Sequence, residues 1–408
     1  MIDLDKHYQL APGRKFRLPR TEGNVENGSG GFGGSDLGVL LQYRAHTDHI
    51  PQPPALCFEN EWQPEYDAAL CETPLKVVTL NIPVINKARL LGPGIVLANN
   101  DVILTDSVGR HAKRKGLEIS NDGTGKLSAD LKQIVHRAQS EGTISQYEGT
   151  SLLLFDPAIR HFGMWVLKCL PKLTILPLLS ESDVRVVVPT SVPDKYLALM
   201  QALGISTEQI IFHDPKSVSV FGKLLVPPKM YTFGKSRYGN PFEVFCKDTG
   251  KDPRGYLHLL PLALENKRIY VTRRGNNRRR LVNEKAVEQL FAEFGFQIVE
   301  PSTLTAVQTL SLFRDCEFIA GPFGSGLYNI LFSRRAPRAL VLTPPLLKFS
   351  KQFLTMGHVC TSKGGNAGYI FGRTHKYRAD QAGEFDYSWE IDMGRLREVL
   401  VTLTQAGE

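Results

Sequence analysis

The stretch GPFGSGLYN, residues 321–329, contains three glycines and follows the short apolar run FIA, residues 318–320. The apolar run predicts a buried strand, and the residues after the glycines predict a helix. Glycines at such a turn permit tight turning and close approach to the backbone, and a helix N-terminus attracts anions. Gly324, Ser325 and Gly326 therefore predict a phosphate or diphosphate site. On the glycines alone, a turn that serves only local sterics is an equal alternative.

The same stretch departs from two common nucleotide motifs. Leu327 and Tyr328 stand where a P-loop needs Lys and Ser or Thr, and Asn329 replaces the third glycine of the dinucleotide fingerprint. The sequence therefore favours neither an ATPase nor a dehydrogenase. Between Glu317 and Asp380 the chain has many basic residues and no Asp or Glu, which favours an anionic ligand.

A basic run, TRRGNNRRRLVNE at residues 272–284, offers side chains suited to the same ligand. It follows a predicted strand, so Arg273 and Arg274 are expected at the carboxyl edge of the sheet beside the glycine turn. The planar fork of arginine matches phosphate oxygens. The two arginines therefore predict diphosphate binding.

The rest of the basic run has structural interpretations. Asn283 is expected to cap the helix that follows, with Glu284 in its first turn. Residues 278–280, three arginines, are expected to form a solvated loop. Aromatic residues are scarce among these basic residues, so the run is a weak match to nucleic-acid-binding modules.

A third group, in FDPAIRHFGMW at residues 155–165, offers acid–base chemistry. Asp156 and His161 are candidate catalytic residues, because a histidine with a pKa near 6.5 suits a general base. Packing or capping is the more frequent role of a lone His or of Trp165 before a helix. The D-x-D motif lies in residues 3–5, in the expected loose terminus, so the sequence indicates neither a metal nor another cofactor.

The composition is that of a globular protein with excess positive charge. The chain has 408 residues, 42% of them hydrophobic and 22% charged, and a formal net charge of +8. Its six cysteines show neither C-x-x-C nor zinc spacing, and no apolar stretch reaches the roughly 18 residues of a membrane span. These features predict a reduced, cytoplasmic protein, with peripheral contact at the inner membrane left open.

Strands and helices alternate after residue 151, which predicts an α/β fold with parallel sheets. The expected organisation is a flexible Gly/Ser-rich arm, an amino-terminal domain with a β-rich region, a second α/β domain and a carboxy-terminal helix. Their expected boundaries are 1–36, 37–235, 252–380 and 381–408, respectively.

Four segments together resemble the glycosyltransferases of family sixty-one: RIYVTRRGNNRRRLVNE, LFAEFGFQIVEP, TAVQTLSLF and FIAGPFGSGLYNILF. The resemblance is clearest over residues 268–332 and looser over 162–227. It implies an inverting sugar transferase of GT-B architecture, in which two Rossmann-like domains face a cleft. In that family the carboxy-terminal domain holds most of the nucleotide-sugar donor, which is a substrate rather than a cofactor.

The resemblance also implies roles for individual residues. Arg273 and Arg274, with the backbone of residues 324–326, would hold the donor diphosphate, while Glu284 and Asn329 would shape the pocket. Together with the acid–base reasoning above, this gives the hypothesis that a base near His161 or Asp156 deprotonates the acceptor. The implied partners are a nucleotide sugar and a glycan or polysaccharide acceptor in surface-polysaccharide (capsule) biosynthesis, with no nucleic acid.

Two positions depart from the family pattern. Phe323 stands where members usually have a histidine before the paired glycines, and Met164 stands where a histidine usually precedes Trp165. If either histidine transfers protons, this chain is inactive or uses His161 instead. One alternative is therefore a non-catalytic relative that binds nucleotide or glycan in an assembly complex, and a weaker one is a nucleic-acid-binding protein.

Overall fold

A computed structural model describes most of the chain and divides it into two compact units. The described residues are 2–3, 5, 8–11, 28–31, 39–43, 49–50, 56–57, 75–78, 80–98, 102–104, 113–120, 124–154, 160–232, 235–237, 267–275, 279–344, 355–361, 363–377 and 387–405. The first unit comprises residues 1–46, 78–231 and 237–239. The second comprises residues 47–77, 232–236 and 240–408, so residues 47–77 group with the carboxy-terminal part.

The strands and helices are numbered in chain order. The strands before residue 240 are β1 (Tyr8–Ala11), β2 (Gly28–Gly31), β3 (Val39–Tyr43), β4 (His49–Ile50), β5 (Leu56–Cys57), β6 (Leu75–Val78), β7 (Leu80–Leu91), β8 (Ile95–Ala98), β9 (Val102–Leu104), β10 (Leu117–Ile119), β11 (Thr124–Leu127), β12 (Ser145–Leu153), β13 (Arg185–Pro189), β14 (Ile210–His213), β15 (Val218–Leu225), β16 (Tyr231–Thr232) and β17 (Lys235–Arg237). The later strands are β18 (Arg268–Val271), β19 (Arg280–Leu281), β20 (Gln297–Val299), β21 (Phe318–Pro322), β22 (Arg338–Thr343), β23 (Asn366–Phe371), β24 (Arg373–Tyr377) and β25 (Tyr387–Glu390). The α-helices are α1 (Ala129–Ser140), α2 (Phe162–Met164), α3 (Asp194–Ala202), α4 (Glu284–Glu293), α5 (Ala306–Phe313), α6 (Thr355–Thr361) and α7 (Met393–Gln405).

A mixed sheet organises the first unit. Strands β15, β12, β13 and β14 lie side by side and run parallel, which confirms the parallel sheet predicted after residue 151. Strand β15 pairs antiparallel with β7, which continues through β8 to β9. Strands β7, β8 and β9 of the β-rich region therefore extend the same sheet.

Helix α1 shows how the sequence pattern builds this unit. Leu131, Val135 and Ala138 recur at helical spacing and are buried, so that one face of α1 joins the hydrophobic core. Ser128 begins the helix, since its side chain accepts a hydrogen bond from the backbone N–H of Leu131 at 3.4 Å.

Two parts of the first unit differ from expectation. Residues 8–11 and 28–31 of the expected flexible arm form strands, because backbone pairing with β9, β11 and β3 needs no side-chain pattern. The helix expected near Trp165 is α-helical only over Phe162–Met164 and continues as a π-turn (Trp165–Cys169) and a 3₁₀-helix (Leu170–Leu178). Pro171 and Pro177 lack the N–H groups that an α-helix requires.

A parallel sheet with the strand order β20–β18–β21–β22–β23 forms the centre of the second unit, and β5 adds to the β23 edge. In order of appearance along the chain, the five main strands lie as 2-1-3-4-5, the order of one group of doubly wound α/β proteins. The predicted α/β class is therefore confirmed. The chain leaves β18 through α4 towards β20 and leaves β21 through a 3₁₀-helix (Ser325–Phe332) towards β22. Because these connections lead in opposite directions, β18 and β21 flank a topological switch point.

Aromatic residues fill the core beside α4. The ring centroids of Tyr270 and Phe291 lie 4.6 Å apart, and Phe296 contacts both Phe291 and Phe318 edge-on. Gly295 ends the helix with φ +77°, and the Phe296 N–H donates to the Phe291 carbonyl at 3.0 Å. Glycine commonly ends helices in this left-handed conformation.

The carboxy-terminal segment is not helical throughout. Residues 387–390 form β25, which pairs with β24, and the helix predicted from residue 381 begins only at Met393. Asp392 explains the start, because its Oδ1 accepts from the Arg395 N–H at 2.9 Å. Within the described ranges, no helix is long and apolar enough to span a bilayer.

Candidate functional site

The candidate site lies where β18 and β21 end side by side. Ligands of open α/β sheets bind outside the carboxyl ends of the strands, at the switch point. Arg273 and Arg274 follow β18 after Thr272, and the turn at Gly324 follows β21. The Arg273 Nη1 donates to the Phe323 carbonyl at 3.2 Å. The structure thus brings the predicted arginines and the predicted glycine turn to one edge of the sheet.

Each glycine of the turn permits a close approach. A Cβ built on Gly324 would lie 2.0 Å from the Arg273 Nη1, and one on Gly326 would lie 2.9 Å from the Val271 Cγ1. At Gly321, φ is +151° and a Cβ would lie 2.5 Å from the Val271 carbonyl oxygen. Gly321 and Gly326 therefore serve local packing, while Gly324 lets a guanidinium lie against the turn.

The segment after the glycines is a 3₁₀-helix instead of the expected α-helix. Asn329 lies within it and is buried, and its Nδ2 donates to the Gly326 carbonyl at 2.8 Å. This bond closes the turn, so the side-chain hydrogen bond that the structure shows for Asn329 is with the backbone of the turn itself. Ser325 begins the helix and is half-buried.

Glu284 accepts hydrogen bonds from the two residues that follow β18. Its Oε1 accepts from the Arg273 N–H at 2.6 Å and from the Thr272 hydroxyl at 3.2 Å. Burial raises the pKa of Glu284 above its usual value, and the nearby Glu288 adds to the rise, while the two hydrogen bonds oppose it. Glu284 thus fixes the backbone from which the Arg273 side chain extends.

Glu288 forms an ion pair with Arg274. The Arg274 Nε lies 2.8 Å from the Glu288 Oε1; the arginine side chain is 58% exposed and the glutamate 7%. The Thr272 hydroxyl also contacts Glu288. The sequence analysis did not identify Thr272 or Glu288 as site residues. The four-residue spacing of Glu284 and Glu288 on α4 nevertheless puts these two glutamates on one helix face.

Arg279 belongs to this site and was also missed. Its backbone is left-handed, with φ +54°, and its carbonyl accepts from the Trp389 Nε1 at 3.0 Å. Its guanidinium carbon lies 5.8 Å from the centroid of the Phe323 ring. The expectation of a solvated loop is wrong for Arg279, which is half-buried, whereas the neighbouring Arg280 side chain is exposed.

Asn283 does not cap α4, contrary to expectation. Its Nδ2 donates to the Ile391 carbonyl at 2.7 Å, and its Oδ1 accepts from the Ile391 N–H at 3.2 Å. The side chain therefore binds the segment between β25 and α7, a contact between residues 108 positions apart that no local pattern reveals.

Two basic residues of the acid-free stretch, Arg334 and Arg335, lie away from the site. Arg334 and Arg335 precede β22, at the opposite edge of the sheet. Arg335 lies 4.0 Å from a carboxylate oxygen of Asp315 and 3.9 Å from one of Glu317, and Arg334 lies 4.0 Å from Asp315. Arg334 and Arg335 therefore do not support the predicted anion site, because Asp315 and Glu317 lie just before the stretch and pair with them.

The two candidate catalytic residues belong to the first unit or lie outside the described part. His161 is exposed and begins α2, where its Nδ1 accepts from the Met164 N–H at 3.4 Å. Trp165 is buried and stacks on Tyr196 with ring centroids 4.4 Å apart. Asp156 lies outside the described residues. Among these residues, the structure therefore shows capping by His161 and packing by Trp165.

Comparison with known proteins gives one family match. Residues 162–341 match the model of the family described as Glycosyltransferase 61. No curated protein matches the chain. The matched segment runs from α2 in the first unit to β22 in the second, and includes both arginines and the glycine turn. The family resemblance inferred from the sequence is confirmed, and it suggests glycosyltransferase activity.

Proposed function

We propose, from the match of residues 162–341 to glycosyltransferase family 61, that this protein is an inverting glycosyltransferase. It moves a sugar from a nucleotide-sugar donor to a glycan or polysaccharide acceptor during surface-polysaccharide biosynthesis in the cytoplasm. The proposal includes the GT-B architecture that the family resemblance implies. The observation that carries it is the position of the Arg273 guanidinium against the Gly324 turn, at the switch point of a parallel sheet.

The donor diphosphate is the group that this edge of the sheet suits. As the sugar departs, negative charge grows on the diphosphate, and a positioned guanidinium stabilises it more than it stabilises the intact donor. Arg273 is held for this task by the bond from its N–H to Glu284. Backbone N–H groups around Ser325 and Gly326 add donors at the start of the 3₁₀-helix. Arg274 contributes less charge, since Glu288 already pairs with it.

His161 or Asp156 is proposed as the general base that deprotonates the acceptor hydroxyl. The side chain of His161 is exposed, as such a base requires, although it also caps α2. A His161→Asn variant separates the two roles, because asparagine is a good N-cap and cannot serve as the base. We expect kcat to fall by about 10²- to 10⁴-fold with donor affinity unchanged. Full activity in this variant would exclude His161 as the base.

The release of nucleoside diphosphate tests the function directly. The protein is incubated with each common sugar nucleotide, with and without glycan acceptors, and the released diphosphate is measured. Arg273→Ala should abolish release, while Arg280→Ala removes an equal charge from an exposed side chain and should not. Failure of every sugar nucleotide to bind would refute the proposal.

A non-catalytic role is the second candidate. Phe323 stands where the family usually has a histidine, and its side chain is buried with 7% exposure at the end of β21. A phenylalanine at this position cannot transfer a proton. If the protein is such a non-catalytic relative, calorimetry should detect nucleotide binding. No nucleoside diphosphate should then be released from any sugar nucleotide, even with acceptors present.

A further inference from the structure

Two buried glutamates of α4 contact the same hydroxyl group. Glu284 and Glu288 are both buried and lie about one helical turn apart. The Thr272 Oγ1 lies 3.2 Å from the Glu284 Oε1 and also contacts the Glu288 Oε1. A threonine hydroxyl has one proton, so it can donate to only one of these carboxyl groups at a time.

The neighbouring N–H groups satisfy other contacts. The Arg273 N–H donates to the Glu284 Oε1 at 2.6 Å, and the Arg274 Nε lies 2.8 Å from the Glu288 Oε1. The Arg274 N–H donates to the Thr272 Oγ1 at 3.3 Å, which leaves the hydroxyl oxygen one lone pair. One of the two contacts between Thr272 and the glutamates therefore lacks a proton. A protonated carboxyl group would supply it, because it can donate to the remaining lone pair of the hydroxyl.

The surrounding charges favour one retained proton. Two carboxylates in one buried site repel each other, and a proton on one of them removes that repulsion. Arg274 pairs with Glu288 and so favours charge there, whereas burial raises the pKa of Glu284, with Arg273 opposing the shift. Burial and the two glutamates also raise the pKa of Tyr270, so its phenol stays neutral beside them.

We propose that Glu284, Thr272 and Glu288 form a proton-sharing group, in which the two carboxyl groups together retain one proton. In the arrangement that the surrounding charges favour, Glu284 carries the proton and donates to Thr272, which donates to Glu288. In the other arrangement, Glu288 carries the proton and Thr272 donates to Glu284. Both arrangements satisfy the same contacts, so the proton belongs to the pair of carboxyl groups. The three side chains are positioning residues for the segment of residues 272–274 that follows β18.

The charge of the proton-sharing group changes with pH. Loss of the shared proton leaves two negative charges next to Arg273 and Arg274. These charges repel a diphosphate at this edge of the sheet, so nucleotide affinity should fall as pH rises through the titration of the pair. In Glu284→Gln this part of the pH dependence should be absent. The effect on affinity rests on the proposed function, whereas the shared proton itself does not.

Infrared spectroscopy of the full-length protein tests for the proton. At about pH 5.5 exposed glutamates, with a pKa near 4.3, are mostly ionised, so a carboxylic-acid C=O band reports a retained proton. We expect this band in the parent protein and its loss in Glu284→Gln. Glu293→Gln is the matched control, because Glu293 lies on the same helix with a side chain that is 56% exposed, and it should keep the band. In Glu288→Gln the band should disappear at a lower pH than in the parent, since the like charge is absent.

Urea denaturation detects the same proton through its effect on stability. The folded state binds one more proton than the unfolded state between about pH 4.3 and the pH at which the pair releases it. Stability contributed by this proton therefore falls as pH rises across that window. Relative to the parent, the urea midpoint of Glu284→Gln should increase with pH, and comparison at each pH cancels the effect of other groups such as His213.

Each outcome decides the inference separately from the function. Absence of the band from the parent at about pH 5.5, its persistence in Glu284→Gln, or identical titrations of the parent and Glu288→Gln would overturn the shared proton. Loss of the band in Glu284→Gln, with titration at lower pH in Glu288→Gln, supports it even if no nucleotide binds, in which case the proposed function fails alone. If Glu284→Gln does not fold, the comparison of the parent with Glu288→Gln still decides, because coupled carboxyl groups must shift each other's titration.

Discussion

At the residue scale, Gly324 is where the absence of a side chain matters most. Its φ is 175°, an extended conformation open to any residue, so backbone strain does not explain the glycine. A Cβ would instead lie 2.0 Å from the Arg273 Nη1. We expect Gly324→Ala to displace the guanidinium and weaken nucleotide binding by about 10-fold or more, as for a lost charged hydrogen bond. Unfolding free energy should fall by less than about 1 kcal/mol, because the end of a long side chain can move.

Gly394 provides the control for this variant. It lies in the first turn of α7, and the atom nearest to an added Cβ is the Asp392 Oδ1 at 3.4 Å, an ordinary contact. Gly394→Ala should leave binding unchanged and stabilise the helix by up to about 1 kcal/mol. Unchanged affinity in Gly324→Ala, measured by calorimetry, would show that the Arg273 side chain is not needed where it lies.

The pair of Arg274 and Glu288 gives a second prediction, an asymmetry in stability. Glu288 is 7% exposed, and Arg274 is 58% exposed. Removing the arginine leaves a buried carboxylate without its ion-pair partner, while neutralising the glutamate leaves an arginine that water can solvate. Because solvent screens the exposed partner, we expect Arg274→Ala to cost about 1–2 kcal/mol and Glu288→Gln less than about 1 kcal/mol.

Urea denaturation of both variants and of the double variant measures this asymmetry. The double variant should recover part of the loss seen in Arg274→Ala, because the unpaired charge is then absent. A larger loss in Glu288→Gln than in Arg274→Ala would mean that the buried charge itself, and not its pairing, stabilises the folded state.

At the element scale, local patterns predicted part of the second unit. The apolar run before the glycine turn indicated β21, and the segment after Asn283 indicated α4. What failed depended on distant partners. Asn283 binds the backbone of Ile391, and residues 387–390 form a strand because β24 lies beside them. Sequence distance hides such contacts, so propensity alone predicted a cap and a longer helix.

His213 links three elements of the first unit and makes their packing sensitive to pH. It ends β14, and its Nδ1 and Nε2 lie 2.8 Å from the Ser219 hydroxyl in β15 and the Gly92 carbonyl after β7, respectively. Since a carbonyl only accepts, Nε2 carries the proton and Nδ1 accepts from Ser219 in the neutral ring. Burial lowers the pKa of His213, while the bond to Gly92 and the nearby Asp214 partly oppose the shift.

The direction of this shift sets the pH dependence of stability. The folded state binds fewer protons than the unfolded state between the lowered pKa and about 6.5, so stability rises with pH across that window. The contribution is present above pH of about 6.5 and is lost as pH falls through the folded-state pKa. Urea midpoints from pH 7.5 to 5 should therefore decline in the parent protein and decline less in His213→Gln. The exposed His136→Gln variant is the control, and a decline equal to the parent's in His213→Gln would contradict this role.

At the scale of the whole molecule, the sequence predicted the place of the site better than its contacts. Parallel strands and a strand-to-helix glycine turn placed Arg273 and Gly324 at one edge of the sheet, as found. Charge counting was less reliable, because it treated Arg279 as solvated and counted Arg334 and Arg335 towards the anion site. Linear sequence shows which residues are basic, but the strand direction decides at which edge they lie.

Charge removed far from the site should therefore matter little. Arg334→Ala with Arg335→Ala lowers the formal net charge by two, from +8 to +6. The two arginines precede β22, whose 6 residues span about 17–20 Å at roughly 3.3 Å per residue. That length is about twice the Debye length of about 8 Å at 0.15 M salt. We expect the double variant to change nucleotide affinity by less than about twofold, whereas Arg273→Ala, which removes one charge, should cost about 10-fold or more.

Calorimetry at two salt concentrations distinguishes local geometry from overall charge. At 0.15 M salt, only Arg273→Ala should lose affinity. At 0.01 M salt the Debye length grows to about 30 Å, so the double variant should then show a measurable loss. If the double variant loses as much as Arg273→Ala at 0.15 M, net charge and not the switch-point geometry determines binding. A loss confined to Arg273→Ala would instead show that one guanidinium placed against Gly324 has more effect than two charges at the opposite edge of the same sheet.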